Sequence, residues 1–525
     1  MEGLALVTLM VGAVLVTAVA RRLGVSPPLL LVAVGLCASF VPGIPAYAIE
    51  PELVMVLVLP PLLYSSARES SYLRFRDNLR PIGLLAVGLV LFTTVVIGYA
   101  AFWLVPGLPL GSALVLGAVL SPPDAVAATS IGRRLGLPRR LLTVLGGESL
   151  VNDATGLTAY RVAIASVAGA GYTLLQGVGV FLMAAVGGSL IGLAIGWLAR
   201  MGHRFLPGDL ASALGLLVPF LAYLAGEEAH TSGVLAVVVA GLYLGHRSPD
   251  TEATSRLQVY AVWSALDTVL EALVFALIGL QVRGIVDTVD TGVARLVAAG
   301  AALTAVTILA RIVWVYPATY LPRLMFPRIR ARDPYPPWQY PVVLSWAGMR
   351  GVVSLAAAFA VPETTDSGAP FPGRDEILFL TFFVTVGTLL LHGMTLPPLI
   401  RRLGICNKEA YEDALAEANA QHSAARAALA RLEELAGNQG SHQAVLETLR
   451  QTAEARRNAA WERLGGPTGG GAEPPSVAYR RLRRAMLDAE RQEFVRFRDE
   501  RLIDDEVLRH VMRELDLEEA ALQRE

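Results

Sequence analysis

Charged residues are scarce in this 525-residue chain. Only 17% of its residues are charged and 54% are hydrophobic, whereas an ordinary soluble domain has about 25% charged residues. The formal net charge of −1 offers no basic excess for binding nucleic acid. The composition therefore indicates a membrane protein that has the lipid bilayer, and no nucleic acid, as its partner.

The chain also has few cysteines and almost no lysine. Cys37 and Cys406 are far apart and match neither a metal spacing nor a disulfide framework. Lys408 is the one lysine among 44 basic residues. We attribute this preference for arginine to genome composition. Basic residues are absent before the first apolar run, which is followed by Arg21 and Arg22. A cleaved signal peptide has its basic residues in front, so we expect a retained first span with the N-terminus outside.

Long apolar runs, in contrast, fill the chain up to about residue 400. A helix needs about 20 mostly apolar residues to cross ~30 Å of hydrocarbon. Thirteen runs qualify or nearly do, at roughly 3–20, 27–43, 51–66, 82–105, 110–130, 141–168, 173–200, 209–226, 231–246, 259–281, 293–322, 338–361 and 376–400. The sequence therefore predicts an all-α membrane protein with about thirteen transmembrane helices.

The arginines between these runs indicate the direction of each span, because cytoplasmic loops hold the excess of basic residues. With the N-terminus outside, twenty arginines fall in inside loops and three in outside loops. The inside set is Arg21, Arg22, Arg68, Arg74, Arg76, Arg80, Arg133, Arg134, Arg139, Arg140, Arg200, Arg204, Arg247, Arg256, Arg323, Arg328, Arg330, Arg332, Arg401 and Arg402. A missed span would scramble this alternation, so we expect thirteen spans and a cytoplasmic C-terminus.

Two spans carry helix-breaking sequences near mid-membrane. The fifth contains SPPD at 121–124, where two prolines remove backbone donors and force the helix to end and restart. Asp124 can then cap the second half-helix, although a simple proline kink is the alternative for this motif alone. The twelfth span has GMRG at 348–351 at a similar depth. Broken helices of opposite direction are typical of inverted-repeat transporters, whose ion sites lie where the breaks meet.

The sixth span carries polar residues in the stretch GGESLVNDATG at 146–156. Glu148 and Asn152 are four residues apart, as are Ser149 and Asp153, so they occupy neighbouring strips of one helix face. Each carboxylate at the bilayer centre costs about 2.5–3.5 kcal/mol on insertion scales, so it must be paired, hydrated or functional. We expect a structural ion pair to account for one of the two.

Arg350 is the expected partner of Glu148, and Arg161 and Arg311 rank lower because each is placed nearer to the end of a span. This pairing leaves Asp153 without a permanent cation, and desolvation of such a carboxylate favours its protonated form. A small hard cation that prefers oxygen ligands can displace that proton. The pattern therefore predicts an antiporter in which Asp153 carries either a proton or a cation.

The remaining ligands of that cation are expected nearby. Asp124, Ser149 and the backbone carbonyls freed by the break complete an oxygen cage, and Asn152 orients it without adding charge. The partners are thus a proton and a monovalent cation, with no cofactor.

Four other functions would use the same residues. A cation channel or a membrane-bound ion sensor would bind the ion in the same cage without exchange. Proton-coupled uptake of an organic anion would use half-helix N-termini, but Asp124 at such a terminus favours a cation. A nucleophilic serine at Ser149 is disfavoured because GESL lacks the second glycine of G-x-S-x-G, so we expect no enzyme.

The sequence resembles the NhaP-type branch of the monovalent cation:proton antiporters, the sodium/hydrogen exchanger family. The resemblance covers about four fifths of the chain and rests on SPPDAVAA (121–128), GGESLVNDATGL (146–157), EEAHTSGVLAVVVAGL (227–242) and WAGMRGVVSLAAA (346–358). It implies thirteen helices in a domain of residues 1–405. The fourth to sixth and eleventh to thirteenth, about 82–168 and 293–402, would form a core bundle, and the others the panel of a homodimer.

The resemblance also implies roles for individual residues. Asp153 is the ion- and proton-binding carboxylate, with Asp124, Ser149 and Asn152 beside it; Glu148 and Arg350 are a structural pair; Glu227 and Arg311 are accessory. Exchange is expected to be electroneutral, because Asn152 replaces the aspartate of the electrogenic branch. The expected ion is sodium, with lithium and potassium as alternatives, and the expected location is the bacterial plasma membrane, with a role in pH homeostasis. Pro123 departs from the family pattern, where many relatives have a hydroxyl or small residue.

The last part of the chain, residues 406–525, has a different composition. Apolar residues recur at helical spacing in 411–437, and GGPTGGGAEPP at 465–475 is typical of a flexible linker before a further helical stretch. We expect a helical cytoplasmic tail. A solvated extension and a regulatory or dimer-supporting role both remain open for it.

Overall fold

A computed structural model gives the fold of the protein. It describes residues 2–42, 54–168, 174–206, 208–248, 253–287, 292–365, 368–405, 409–438, 443–464, 475–500, 502 and 505–524. Within these ranges the regular structure is helical apart from one bridge between Thr364 and Pro370. The predicted all-α class is confirmed. The chain forms two compact units, Met1–Cys406 and Asn407–Glu525.

The first unit contains the apolar helices. In the described residues they are α1 (Glu2–Leu23), α2 (Pro27–Ser39), α3 (Leu59–Glu69), α4 (Tyr72–Asp77), α5 (Leu79–Leu104), α6 (Leu110–Leu120), α7 (Ala125–Arg134), α8 (Arg139–Ala168), α9 (Leu174–Phe205), α10 (Gly208–Glu228), α11 (Gly233–His246), α12 (Ala253–Leu280), α13 (Val282–Asp287), α14 (Val293–Met325), α15 (Pro327–Arg332), α16 (Gln339–Trp346), α17 (Val352–Phe359) and α18 (Arg374–Arg402).

Each of the thirteen predicted apolar runs overlaps one or more of these helices. In the part of the chain that the structure describes, seven helices are long and apolar enough to cross a membrane by themselves, and α2, α6 and α11 are shorter apolar helices. The number thirteen stays a prediction, because the fifth and twelfth predicted spans are each made of two shorter helices.

The helices of the first unit pack mainly in two groups. In one, α5 packs on α6 and α14, α6 and α7 pack on α8, α16 packs on α14, and α17 packs on α6 and α18. In the other, α1 and α2 pack on α12, α3 packs on α11, and α9 packs on α10 and α11. We name them the first group and the second group.

A π-helical turn at Leu84–Leu89 interrupts α5. The indole Nε1 of Trp314 in α14 donates to the carbonyl of Leu84 at 2.9 Å. A Cβ placed on Gly88 would lie 2.5 Å from the Trp314 ring. The π-helical turn therefore makes room for the indole. The indole N–H donates to a carbonyl that would accept from a backbone N–H in a regular α-helix.

Asp333 joins several helices of the first group at one end. Its carboxylate accepts from Arg80 at 2.5 Å, Arg140 at 2.6 Å and Arg323 at 2.7 Å. Burial alone raises the pKa of Asp333, but hydrogen bonds from Arg140 and Arg323 outweigh it and hold that pKa below its ordinary value. The carboxylate therefore stays ionised and ties the ends of α5, α8 and α14 together.

The second unit consists of four helices in its described residues: α19 (Glu409–Asn438), α20 (Gln443–Leu464), α21 (Pro475–Asp499) and α22 (Asp505–Arg524). Leu487, Leu515 and Leu522 form a small core between α21 and α22. Of the linker predicted at 465–475, only Pro475 lies in the described residues, as the first residue of α21.

Candidate functional site

Two interrupted helical segments meet in the first group. α6 ends at Leu120 and α7 begins at Ala125, while α16 ends at Trp346 and α17 begins at Val352. The backbone N–H of Asp124 donates to the carbonyl of Met349 at 2.7 Å. The two non-helical stretches are therefore bonded directly to each other.

Asp124 caps the restarted helix α7. Its Oδ1 accepts from the backbone N–H of Val126 at 2.8 Å, and a carboxylate at a helix N-terminus is favoured by the helix dipole. A Cβ on Gly351 would lie 2.0 Å from the Oδ2 of Asp124. Glycine at 351 therefore gives this carboxylate the space that it occupies.

Arg350 lies at the ends of the two half-helices that precede the breaks, α6 and α16. Its Nε donates to the carbonyl of Leu120 at 2.6 Å, and its Nη1 donates to the carbonyl of Gly348 at 2.8 Å. These carbonyls lie at the C-terminal ends of α6 and α16, where a cation is favoured by the helix dipole. The residue is 1% exposed. Its role is therefore to satisfy carbonyls that the helix breaks leave without a backbone donor.

Glu148 pairs with Arg311, and our prediction that it pairs with Arg350 is wrong. Nη1 and Nη2 of Arg311 lie 2.6 and 2.8 Å from Oε1 and Oε2 of Glu148. The Nε of Arg311 donates to the carbonyl of Leu344 at 2.8 Å. Arg311 lies near the middle of α14 rather than near its end, so its planar fork reaches both carboxylate oxygens. Arg350 is held by main-chain carbonyls instead.

Asp153 lies on the same helix as Glu148 but has no such partner. Among the described residues, no arginine or histidine forms an ion pair with it. Its side chain is 7% exposed and lines a cavity of about 360 Å³ together with Asp124 and Ser149. The structure thus brings three of the four predicted binding residues to the wall of one cavity.

Asn152 points into the break rather than into the cavity. Its Nδ2 donates to the carbonyl of Pro123 at 2.5 Å, and the residue is fully buried. Its Oδ1 has no hydrogen-bond donor in the described part of the chain. The amide therefore satisfies a carbonyl that the break has freed.

The cavity lies between the two helix groups. The first group contributes residues of α7, α8 and α17, and the second contributes residues of α3 and α12. The lining also includes Arg74, Arg133 and Arg139. These arginines belong to the loops that we predicted to be cytoplasmic.

Glu227 was predicted as an accessory residue of the site, but it is absent from the described lining of this cavity. Its Oε2 accepts from Arg161, and its Oε1 accepts from the backbone N–H of Gly233 at 3.2 Å. Glu227 therefore fixes the turn between α10 and α11 to α8.

Two acids of the second group were not predicted from the sequence. Glu271 lines the cavity, and Asp267 lies one helical turn before it on α12. Both fall within the tenth apolar run, so the cost of a carboxylate in the bilayer identifies them as it identified Glu148 and Asp153.

Known proteins resemble most of this chain. The family described as sodium/hydrogen exchanger, transmembrane, matches residues 8–402. An uncharacterised Na⁺/H⁺ exchanger from Mycobacterium tuberculosis is 36% identical over 527 residues, covering 99% of this chain and 96% of the relative. A sodium, potassium, lithium and rubidium/H⁺ antiporter from Bacillus subtilis is 33% identical over 71% of this chain and 57% of its own.

Among solved structures, the sodium proton antiporter MjNhaP1 from Methanocaldococcus jannaschii has the same fold. The TM-score is 0.59 at 18% identity, and the match covers 74% of this chain and 98% of that one.

Proposed function

Because the chain belongs to the sodium/hydrogen exchanger family, we propose that it exchanges a monovalent cation for protons across a membrane. The observation that carries this proposal is Asp153, a carboxylate on the wall of a cavity with no cation paired to it in the described residues. A carboxylate in an apolar surrounding needs a counter-ion or a proton. Asp153 can take either from the cavity.

Exchange follows from competition for one carboxylate. When the cavity holds the cation in excess, the proton leaves Asp153 and the cation binds to oxygens of Asp153, Asp124 and Ser149, which line the same cavity. When protons are in excess, Asp153 is protonated and the cation leaves. Since neither occupant shares the site with the other, each reaches the opposite side only in exchange.

Electroneutral exchange is supported by the charges around Asp153. The charge of Glu148 is balanced by Arg311 through two hydrogen bonds, and Asn152 is neutral. One monovalent cation therefore replaces one proton, with no net charge moved. We propose sodium as the ion, with lithium and potassium as alternatives. The Bacillus subtilis relative is named for sodium, potassium, lithium and rubidium.

The arginines in the cavity lining support a direction. Its lining includes Arg74, Arg133 and Arg139, and basic loops face the cytoplasm. We therefore propose that this is the inward-open state of a bacterial plasma-membrane protein with its N-terminus outside. Alternating access would then move the first group against the second.

A homodimer is also proposed, with the second group at its interface. The most apolar windows of α1 and α9 are only 17% buried within the chain. Lipid or a second copy must cover these faces.

The proposed exchange is tested by proton movement in vesicles that contain the purified full chain. We expect added sodium or lithium to drive protons out of the vesicles at an unchanged rate when the voltage is clamped. A channel would instead give a cation current that follows the voltage, and a sensor would give no flux. Either result would contradict the exchanger.

A further inference from the structure

Glu271 is an acid in the transport cavity that the proposed exchange does not use. It comes from α12 of the second group and lines the cavity opposite the first group. No residue of the described ranges forms a hydrogen bond or ion pair with its carboxylate. The charges that it experiences most strongly are Asp124 and Asp267, both of its own sign, and then Arg21. Such a carboxylate attracts a cation.

Asp267, one helical turn before Glu271 on α12, adds to this negative region. Its Oδ2 accepts a hydrogen bond from Ser65, while its Oδ1 is buried without a donor in the described residues. It experiences the charge of Glu69, an exposed acid that also lines the cavity. The negative charge around Glu271 therefore comes from Asp267 and Asp124, whereas Glu69 is exposed to solvent.

Ser354 gives an independent sign of a ligand at the same place. It lies on α17, which packs on α12, and it lines the same cavity as Glu271. The side chain is 1% exposed, and its Oγ has no hydrogen-bond partner in the part of the chain that is described. A buried hydroxyl without a hydrogen-bond partner is destabilising. A bound cation or its water would remove that destabilisation.

We propose that Glu271 and Ser354 form a second binding station for a monovalent cation in the cavity that Asp153 also lines. Oxygen ligands of this kind suit a hard cation, and a cavity of about 360 Å³ leaves room for part of its water shell. Asp267 adds negative charge behind the station. The station deepens the proposed exchange and rests on it. Glu271 belongs to the group that does not carry Asp153, so the cation passes from one group to the other.

The test compares three variants of the full chain with the wild type: Glu271→Gln, Ser354→Ala and Glu69→Gln. The last is the matched control, because Glu69 lines the same cavity with the same charge but is exposed. Two assays measure the sodium concentration for half effect. One is exchange in vesicles, and the other is sodium-dependent stabilisation against heat in detergent, which requires no transport.

We expect Glu271→Gln to raise the half-effect sodium concentration at least threefold in both assays, with the maximal exchange rate within twofold of wild type. Glu69→Gln stays near wild type. A shift under threefold for Glu271→Gln, or an equal shift for Glu69→Gln, overturns the station. Where Glu271→Gln fails to fold, Ser354→Ala decides by the same threshold.

The two proposals fail in different ways. A wild type that binds sodium through Glu271 but moves no protons would refute the exchange and keep the station. Normal exchange with an unchanged sodium dependence in Glu271→Gln and Ser354→Ala would keep the exchange and refute the station.

Discussion

Two buried arginines near the site have separate tasks. Arg311 neutralises Glu148 with a bidentate contact, and Arg350 bonds the carbonyls of Leu120 and Gly348. The sequence predicted that one of the two carboxylates of α8 is paired, because the cost of a carboxylate in lipid requires it. The sequence did not identify which arginine pairs with Glu148. The pairing depends on which arginine already donates hydrogen bonds to the carbonyls at the helix breaks. This follows only from how the helices pack.

Removing Arg311 should be strongly destabilising. Arg311→Met leaves Glu148 buried without a cation, which costs about 3–5 kcal/mol for a buried pair. We expect a large loss of folded yield and of melting temperature, and recovery of most of that loss when Glu148→Gln is added.

The matched control replaces the other arginine. Arg350→Met with Glu148→Gln should be no more stable than Arg350→Met alone, since the structure does not pair these side chains. Recovery in that double variant and none in the Arg311 double variant would show that Glu148 pairs with Arg350.

At the scale of elements, the meeting of the two breaks organises the site. The Pro122-Pro123 pair and the GMRG stretch at 348–351 indicated from sequence where helices stop, because proline and glycine are poor in helix interiors. The hydrogen bond from the backbone N–H of Asp124 to the carbonyl of Met349 could not be predicted in this way. It requires the register of α7 against α17, which depends on side chains from several helices.

Gly351→Ala tests the contact between the breaks. The added methyl group would lie 2.0 Å from the Oδ2 of Asp124, so the carboxylate must move from its capping position. We expect exchange to fall at least tenfold while the protein stays folded in detergent. Gly83→Ala is the control, because a Cβ at Gly83 meets nothing within 4 Å. Equal exchange in the two variants would mean that the contact is dispensable.

For the whole molecule, the division of labour follows the two compact units. Every residue of the proposed site lies in Met1–Cys406, and the unit Asn407–Glu525 has its own small core and surface ion pairs, such as Arg483 with Glu518. Composition alone separated the apolar region from the charged tail. Nothing in the sequence distinguishes a regulatory tail from a solvated extension, because amphipathic helices serve both.

Deletion of residues 407–525 should leave sodium-driven proton movement intact, since no ligand is removed. We expect a maximal rate within about threefold of the full chain, measured in vesicles at equal protein content. A regulatory role then requires a shifted pH profile of the truncated protein, and an unchanged profile would refute that role. Loss of all exchange in a folded truncated protein would contradict the assignment of the site to the first unit.

The central claim is that Asp153 holds either the cation or the proton. The most direct measurement is sodium-driven proton movement in vesicles for wild type, Asp153→Asn and Asp153→Glu, each shown to be folded. The account predicts exchange in wild type, none in Asp153→Asn, and partial activity in Asp153→Glu, which keeps a carboxylate. Exchange by Asp153→Asn at the wild-type rate would contradict the account and assign the coupling to another carboxylate.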